Sequence, residues 1–105
     1  MVSKEEVMKA LEKVYDPEIP INIVDLGLVY GVETTEEGDV HVRITLTAPG
    51  CPLSHMLVRM VEEAIRREVR GVRNVRVEVV WDPPWTPERI SERGRAILRS
   101  LGFSV

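Results

Sequence analysis

The chain has 105 residues, 44% of them apolar, with 17 acidic and 14 basic side chains and a formal net charge of −3. That length suits one compact domain and leaves no room for two, and the apolar share is ordinary for a globular core. The two signs of charge are interleaved, which argues against a nucleic-acid surface or a polybasic membrane anchor, and no apolar run is long enough to span a bilayer. The opening Met1-Val2-Ser3-Lys4-Glu5-Glu6 turns charged at once, so no secretory leader is read and the expected compartment is the cytoplasm. One cysteine cannot close an internal disulfide, in keeping with a reducing compartment. Glutamine is absent and asparagine occurs only at Asn22 and Asn74, a composition that hints at a thermophilic source.

Ser3-Lys4-Glu5-Glu6 has the spacing of a capping box. Val7, Met8, Leu11 and Val14 follow at helical period before Tyr15-Asp16-Pro17 stops it, so a first helix is expected over about residues 4–14. Residues 16–25 hold two prolines and no clear period. They read as a loop that Ile19, Ile21, Ile23 and Val24 make apolar enough to be partly buried, yet it carries Asp16, Glu18 and Asp25. Leu28, Tyr30 and Val32 alternate as a strand, and Glu36-Glu37-Gly38-Asp39 supplies a turn. Val40, Val42, Ile44 and Leu46 then alternate against His41, Arg43, Thr45 and Thr47, which predicts an antiparallel hairpin.

Pro49-Gly50 breaks the chain, after which Leu53, Leu57, Met60, Val61, Ala64 and Ile65 mark a second helix that Gly71 stops. Val75, Val77, Val79 and Trp81 form a third strand, and Asp82-Pro83-Pro84-Trp85 a rigid turn. Thr86-Pro87-Glu88 offers a cap followed by proline at the first helical position, and Ile90, Ile97, Leu98 and Leu101 give a third helix its apolar face up to Gly102. The order α-β-β-α-β-α predicts one α/β (α+β) domain over residues 1–105, with a three-stranded mixed sheet packed by helices. Helices 1 and 2 should cover one sheet face, leaving the other for helix 3 or a partner chain.

Cys51 is the residue on which chemistry centres. In Thr47-Ala48-Pro49-Gly50-Cys51-Pro52 it sits beside the expected start of helix 2, where unpaired amides and the helix dipole favour a thiolate. A thiol of pKa about 8.5 falls by a unit or more in such a place. A lone cysteine is often core filler, but a position between Gly50 and Pro52 gives a packing cysteine no advantage. His55, four residues on, reads either as a second metal ligand or general base, or as an exposed first-turn histidine, the reading preferred here. His41 is expected to be solvated. Asp16, Glu18 and Asp25 read as turn-forming acids or, if the loop packs near helix 2, as metal ligands or groups that tune the thiol.

Thr45 and Thr47 could hydrogen-bond near that site or simply reflect strand preference. Arg66, Arg67, Arg70, Arg73 and Arg76 form a stripe interrupted by Glu62, Glu63, Glu68 and Glu78, better read as a solvated ion-pair face than as phosphate contacts. Trp81 and Trp85 are expected to close the core over helix 3, with Trp85 a docking anchor if exposed. Glycine-rich phosphate loops, CxxC, nucleophile elbows and HExxH are all absent, and the chain is read as a non-enzyme with no catalytic residue assigned.

Three stretches carry a resemblance. Asp16-Pro17-Glu18-Ile19-Pro20-Ile21-Asn22-Ile23-Val24-Asp25-Leu26-Gly27-Leu28-Val29-Tyr30 resembles the DPEIPxxIxDLGLVY segment of the metal–sulfur cluster assembly factor family, which takes in SufT-like and PaaD-like proteins. Thr47-Ala48-Pro49-Gly50-Cys51-Pro52 resembles its T-x-P-x-C-P segment, and Trp81-Asp82-Pro83-Pro84-Trp85-Thr86 its W-x-P-x-W segment. The resemblance covers nearly the whole chain. It implies the iron–sulfur cluster assembly domain fold and a part in maturing iron–sulfur proteins, with Cys51 as the reactive residue and possible metal ligand. Asp16, Glu18, Asp25 and Thr47 match its other polar motif positions, whereas His55 matches none. PaaD-like relatives carry extra C-terminal cysteines that this chain lacks, which weakens that subgroup.

Clusters are usually held by about four thiolates or equivalent ligands. One cysteine per chain therefore implies transient binding of iron or an iron–sulfur cluster, with none firmly held by a monomer. The expected partners are iron–sulfur scaffold or carrier proteins and client apoproteins, with a homodimer possible and no nucleic acid or membrane. The rival readings are an adaptor that docks clients or an oxygenase complex while its thiol is incidental, and a cysteine enzyme using Cys51 with His55.

Overall fold

The computed structural model describes residues 2–16, 19–47 and 54–104. The elements in chain order are α1 (Lys4–Leu11), β1 (Val29–Thr34), β2 (Asp39–Ile44), α2 (Ser54–Glu68), β3 (Asn74–Val79), a short 3-10 turn (Pro87–Arg89) and α3 (Glu92–Ser100). This is the α-β-β-α-β-α order expected from the pattern.

The capping box forms at α1: the Glu6 amide donates to Ser3 Oγ at 3.1 Å, and the Ser3 amide donates to the Glu6 carboxylate at 3.2 Å. The helix ends at Leu11, three residues short of expectation. Its last amides switch to i−3 acceptors, Lys13 to Ala10 and Val14 to Leu11, and this tighter winding delivers Val14 into the core. The chain then folds back on itself through an antiparallel bridge between Tyr15 and Asn22, with the Ile23 amide donating to the Val14 carbonyl at 2.9 Å. This loop is more than partly buried. Ile21, Ile23, Leu26 and Leu28 are among the most enclosed side chains of the molecule.

β1 and β2 pair antiparallel, and β2 and β3 pair parallel, giving a mixed sheet in the order β1-β2-β3. Gly38 takes a positive φ of 97° in the hairpin turn, and the Gly71 carbonyl lies so close that no side chain fits there. Val40, Val42 and Ile44 point inward from β2 and meet Leu57, Val61, Ala64 and Ile65 of α2 and Val7, Ala10 and Leu11 of α1 in one core. Helices α1 and α2 thus cover one sheet face, as the periodicities imply.

The third helix departs from the sequence reading in two ways. Thr86-Pro87 opens only a 3-10 turn. Ile90 is then extended (ψ 132°) and buries its side chain, and this breaks the helical path. Ser91 is the true cap, its Oγ accepting from the Gly94 amide at 3.0 Å. Among the described residues, the α3 backbone also comes close to no strand and no other helix. It lies on the loop between α1 and β1, with Gly94 against Ile21 and the Asp25 carbonyl, and the Ser91 amide donates to that carbonyl at 2.8 Å. The outer sheet face is left to charged side chains: Glu33 pairs with Arg43, and His41 meets Glu78. β3 stops at Val79, so Trp81 is not a strand residue and is exposed, whereas Trp85 is half-buried against the core. The exposed docking candidate is therefore Trp81, not Trp85.

Candidate functional site

Cys51 and Glu18, with Pro17 and residues 48–53, lie outside the described residues. The remaining candidates can be placed. Thr47 is half-buried at the exit of the strand-2 segment, and Leu46 and Thr45 before it are buried. The Thr45 amide donates to the Leu28 carbonyl at 2.8 Å, but its hydroxyl, fully enclosed, has no hydrogen-bond partner among the described residues. His55 stands exposed in the first turn of α2, the placement preferred from the sequence.

Asp16 accepts a hydrogen bond from the Ile19 amide at 2.8 Å through Oδ2. Asp25 is buried and faces α3. Its Oδ2 accepts from Asn22 Nδ2 at 2.7 Å and from Arg93 Nε at 2.9 Å, and its Oδ1 accepts from Ser91 Oγ at 2.8 Å. Arg93 also reaches Glu12 at 2.8 Å, so the guanidinium bridges the end of α1 and the loop. Burial alone pushes the Asp25 carboxyl up. Hydrogen bonds from Arg93, Asn22 and Ser91, with the charge of Arg93, outweigh that and hold it below the ordinary carboxylate value. The same contacts raise the Arg93 guanidinium further above its already high value. Both Asp25 oxygens are thus engaged in fastening the loop to α3.

The neighbouring motif residues complete that seat. Trp85 Nε1 donates to the Leu26 carbonyl at 2.7 Å. Gly27, with φ 82°, lies directly under the Arg89 backbone, where any Cβ would collide with the Arg89 carbonyl. Asp25, Leu26 and Gly27 therefore each receive part of the segment 85–93. Sequence reading missed Ser91, Arg93 and Asn22. The signal available was local: Asn22 and Asp25 stand three apart, as a side-chain-capped turn requires, and Ser91 precedes Glu92 as a cap does. Among the described residues, no group of three or more His, Cys, Asp or Glu is arranged to hold a metal ion.

Comparison with known proteins gives this loop and sheet a family. Residues 4–79 match the model of the family described as "Iron-sulfur cluster assembly protein". The Bacillus subtilis Fe-S protein maturation auxiliary factor YitW is 43% identical over 95 residues, spanning 90% of this chain and 92% of that protein. The Staphylococcus aureus Fe-S protein maturation auxiliary factor SufT is 39% identical over 85 residues, spanning 81% and 96%. A solved domain of unknown function from Bacillus anthracis superposes with a TM-score of 0.87 at 36% identity, covering 91% of each chain. The chain belongs to the iron–sulfur cluster assembly protein family, as its three motif stretches imply. The matched range contains Cys51 and the Asp25 loop and ends before Trp81 and α3.

Proposed function

We propose that this chain acts as a single-domain maturation factor for iron–sulfur proteins, in which Cys51 takes up iron or a cluster as cargo and passes it to a client apoprotein. The observation that carries this reading is the family match over residues 4–79, a range that holds the one cysteine of the sequence. The names of the similar YitW and SufT proteins, maturation auxiliary factors, support it.

One thiolate cannot satisfy a cluster that needs about four ligands, so binding is brief or shared. The handover is ligand exchange: the Cys51 thiol gives its proton to solvent, the sulfur replaces one ligand of the incoming cargo, and a client thiolate displaces it in turn. No electron need change hands. A pair of chains, each offering Cys51, would lengthen the residence of the cargo. Asp16, Glu18, Asp25 and Thr47 shape the surroundings of the sulfur, Asp25 by holding its loop in place. The setting is the cytoplasm, where thiols stay reduced, and among the described residues no helix is long and apolar enough to cross a membrane.

Anaerobic reconstitution with iron and sulfide tests the ligand role. Wild type should develop visible absorption, and Cys51→Ser should not. Equal absorption would remove Cys51 from the mechanism. An adaptor role is favoured instead if clients are captured equally by the Cys51→Ser protein, and the exposed Trp81, Leu101 and Phe103 are the side chains that would serve it.

A further inference from the structure

The family-like segment ending in Tyr30 builds a second feature, on the outer sheet face. The strand register shifts between Val29 and Gly31, a bulge at Tyr30 of the kind that re-aims a side chain. The Tyr30 hydroxyl donates to the Pro83 carbonyl at 2.7 Å, and the Arg89 guanidinium lies over the ring, 4.8 Å from its centroid. Arg89 is fixed from behind as well, because its backbone rests on Gly27.

Gly31 admits a second cation. A Cβ there would occupy the space of the Arg43 Nη2, Cζ and Nε atoms, so the missing side chain lets that guanidinium lie flat across the strand. Arg43 Nη1 donates to Glu33 at 2.6 Å. These groups line a concavity of about 370 Å³ whose apolar walls are Val29, Val80 and Pro83 and whose rim carries Asp82. Among the described residues neither Arg89 nor Asp82 forms an ion pair.

We propose that this corner binds a carboxylate flanked by N–H donors, as an acidic side chain in a partner polypeptide presents it. Planar guanidinium forks match carboxylate geometry, and Arg89 is held in place by stacking, so it loses little freedom on binding. Glu33 already balances Arg43, leaving Arg89 and Asp82 as one free cation and one free acceptor. The charges of the corner balance, Arg43 with Glu33 and Arg89 with Asp82, which disfavours phosphate and polyanions, while a carboxylate with an adjacent amide N–H satisfies both poles. The volume, near the lower end of ligand pockets at about 300–1,000 Å³, has room for an acidic side chain together with its flanking backbone. The site does not depend on Cys51.

The test is a titration of isotope-labelled full chain, followed by NMR at the Arg43 and Arg89 side-chain N–H groups and the Gly31 amide. The probes are acetyl-Ala-Glu-Ala-amide, its Gln analogue, acetate and inorganic phosphate. The Glu peptide should give saturable shifts, and the Gln peptide should bind at least about tenfold more weakly. Arg89→Gln removes the free cation, and Gly31→Ala evicts the Arg43 guanidinium. Each should weaken the Glu peptide at least about tenfold, while the shifts of α1 and α2 stay as in wild type and confirm folding. Asp82→Asn should weaken the peptide but leave acetate unchanged. Saturation by acetate as tight as by the peptide would overturn the flanking-donor part, and tighter binding of phosphate would overturn the carboxylate assignment. Absence of any saturable shift up to about 50 mM peptide, a limit beyond specific recognition, would overturn the site as a whole.

Discussion

Arg93 grips the Asp25 carboxylate with two nitrogens, Nε at 2.9 Å and Nη2 at 2.8 Å from Oδ2, across 68 positions of sequence. The carboxylate is buried while the guanidinium is more than half exposed. Removing the buried partner is therefore costlier than removing the exposed one. Asp25→Ala strands Ser91 and Asn22 and should cost about 2–3 kcal/mol, the range for hydrogen bonds to a charged group. Arg93→Gln keeps a donor and sits in solvent, so it should cost only about 1 kcal/mol. Urea midpoints would rank them, and equal losses would refute the asymmetry.

The pH dependence has a definite sign. The folded Asp25 carboxyl lies below its ordinary value, so the unfolded chain binds the proton more readily. The stabilisation is complete above the unfolded value of about 3.9 and is lost as pH falls toward the folded one. Midpoints measured from pH 7 to pH 2 should therefore fall more steeply for wild type than for Asp25→Asn, with the two curves converging in acid. Parallel curves would show that other carboxylates carry the acid sensitivity.

The enclosed Thr45 hydroxyl, without a partner, is a destabilising feature within the described fold. Replacing it by a methyl in Thr45→Val should raise stability by about 1 kcal/mol, since a buried hydroxyl without a hydrogen bond costs about that much or more. Thermal and urea unfolding both read this out. A loss of stability would mean that the hydroxyl has a partner in solution.

Gly27→Ala combines a positive φ with a collision against the Arg89 carbonyl. It should cost more than about 1 kcal/mol and loosen residues 85–103 selectively. Hydrogen exchange would report faster opening in α3 with α1 and α2 unaffected. Uniform acceleration across all three helices would show instead that the whole core had weakened.

Local, periodic features were readable in advance. The α1 capping box, the β1–β2 hairpin about Gly38 and the α2 apolar stripe all follow from neighbours within a few positions, where propensity and pattern act together. The start of α3 was misread because Thr86-Pro87 is a valid cap signal, and tertiary burial of Ile90 overrode it. Residues 16–25 read as a loop apolar enough to be partly buried yet carrying three carboxylates. Its deeper enclosure comes from the common core and from α3, and no periodicity within the loop could announce a helix so distant in sequence. At the candidate site, Cys51 stands out by its flanking Gly50 and Pro52 and by motif resemblance, and Asp25 as one of three carboxylates in an apolar loop and by the motif. That Asp25 turns to Ser91 and Arg93 is a long-range pairing. The expectations for Cys51 and Glu18 fall outside the described residues.

Because α3 leans on Ile21 and Asp25 and, among the described residues, brings its backbone close to no strand or other helix, the tail of the molecule and that early segment behave as a latch and its keeper. A bulky fusion hung beyond α3 would tug on the latch, and small changes at the tail would be felt at Asp25. Variation near the end of the chain is thus a handle for tuning the loop without touching any residue in it.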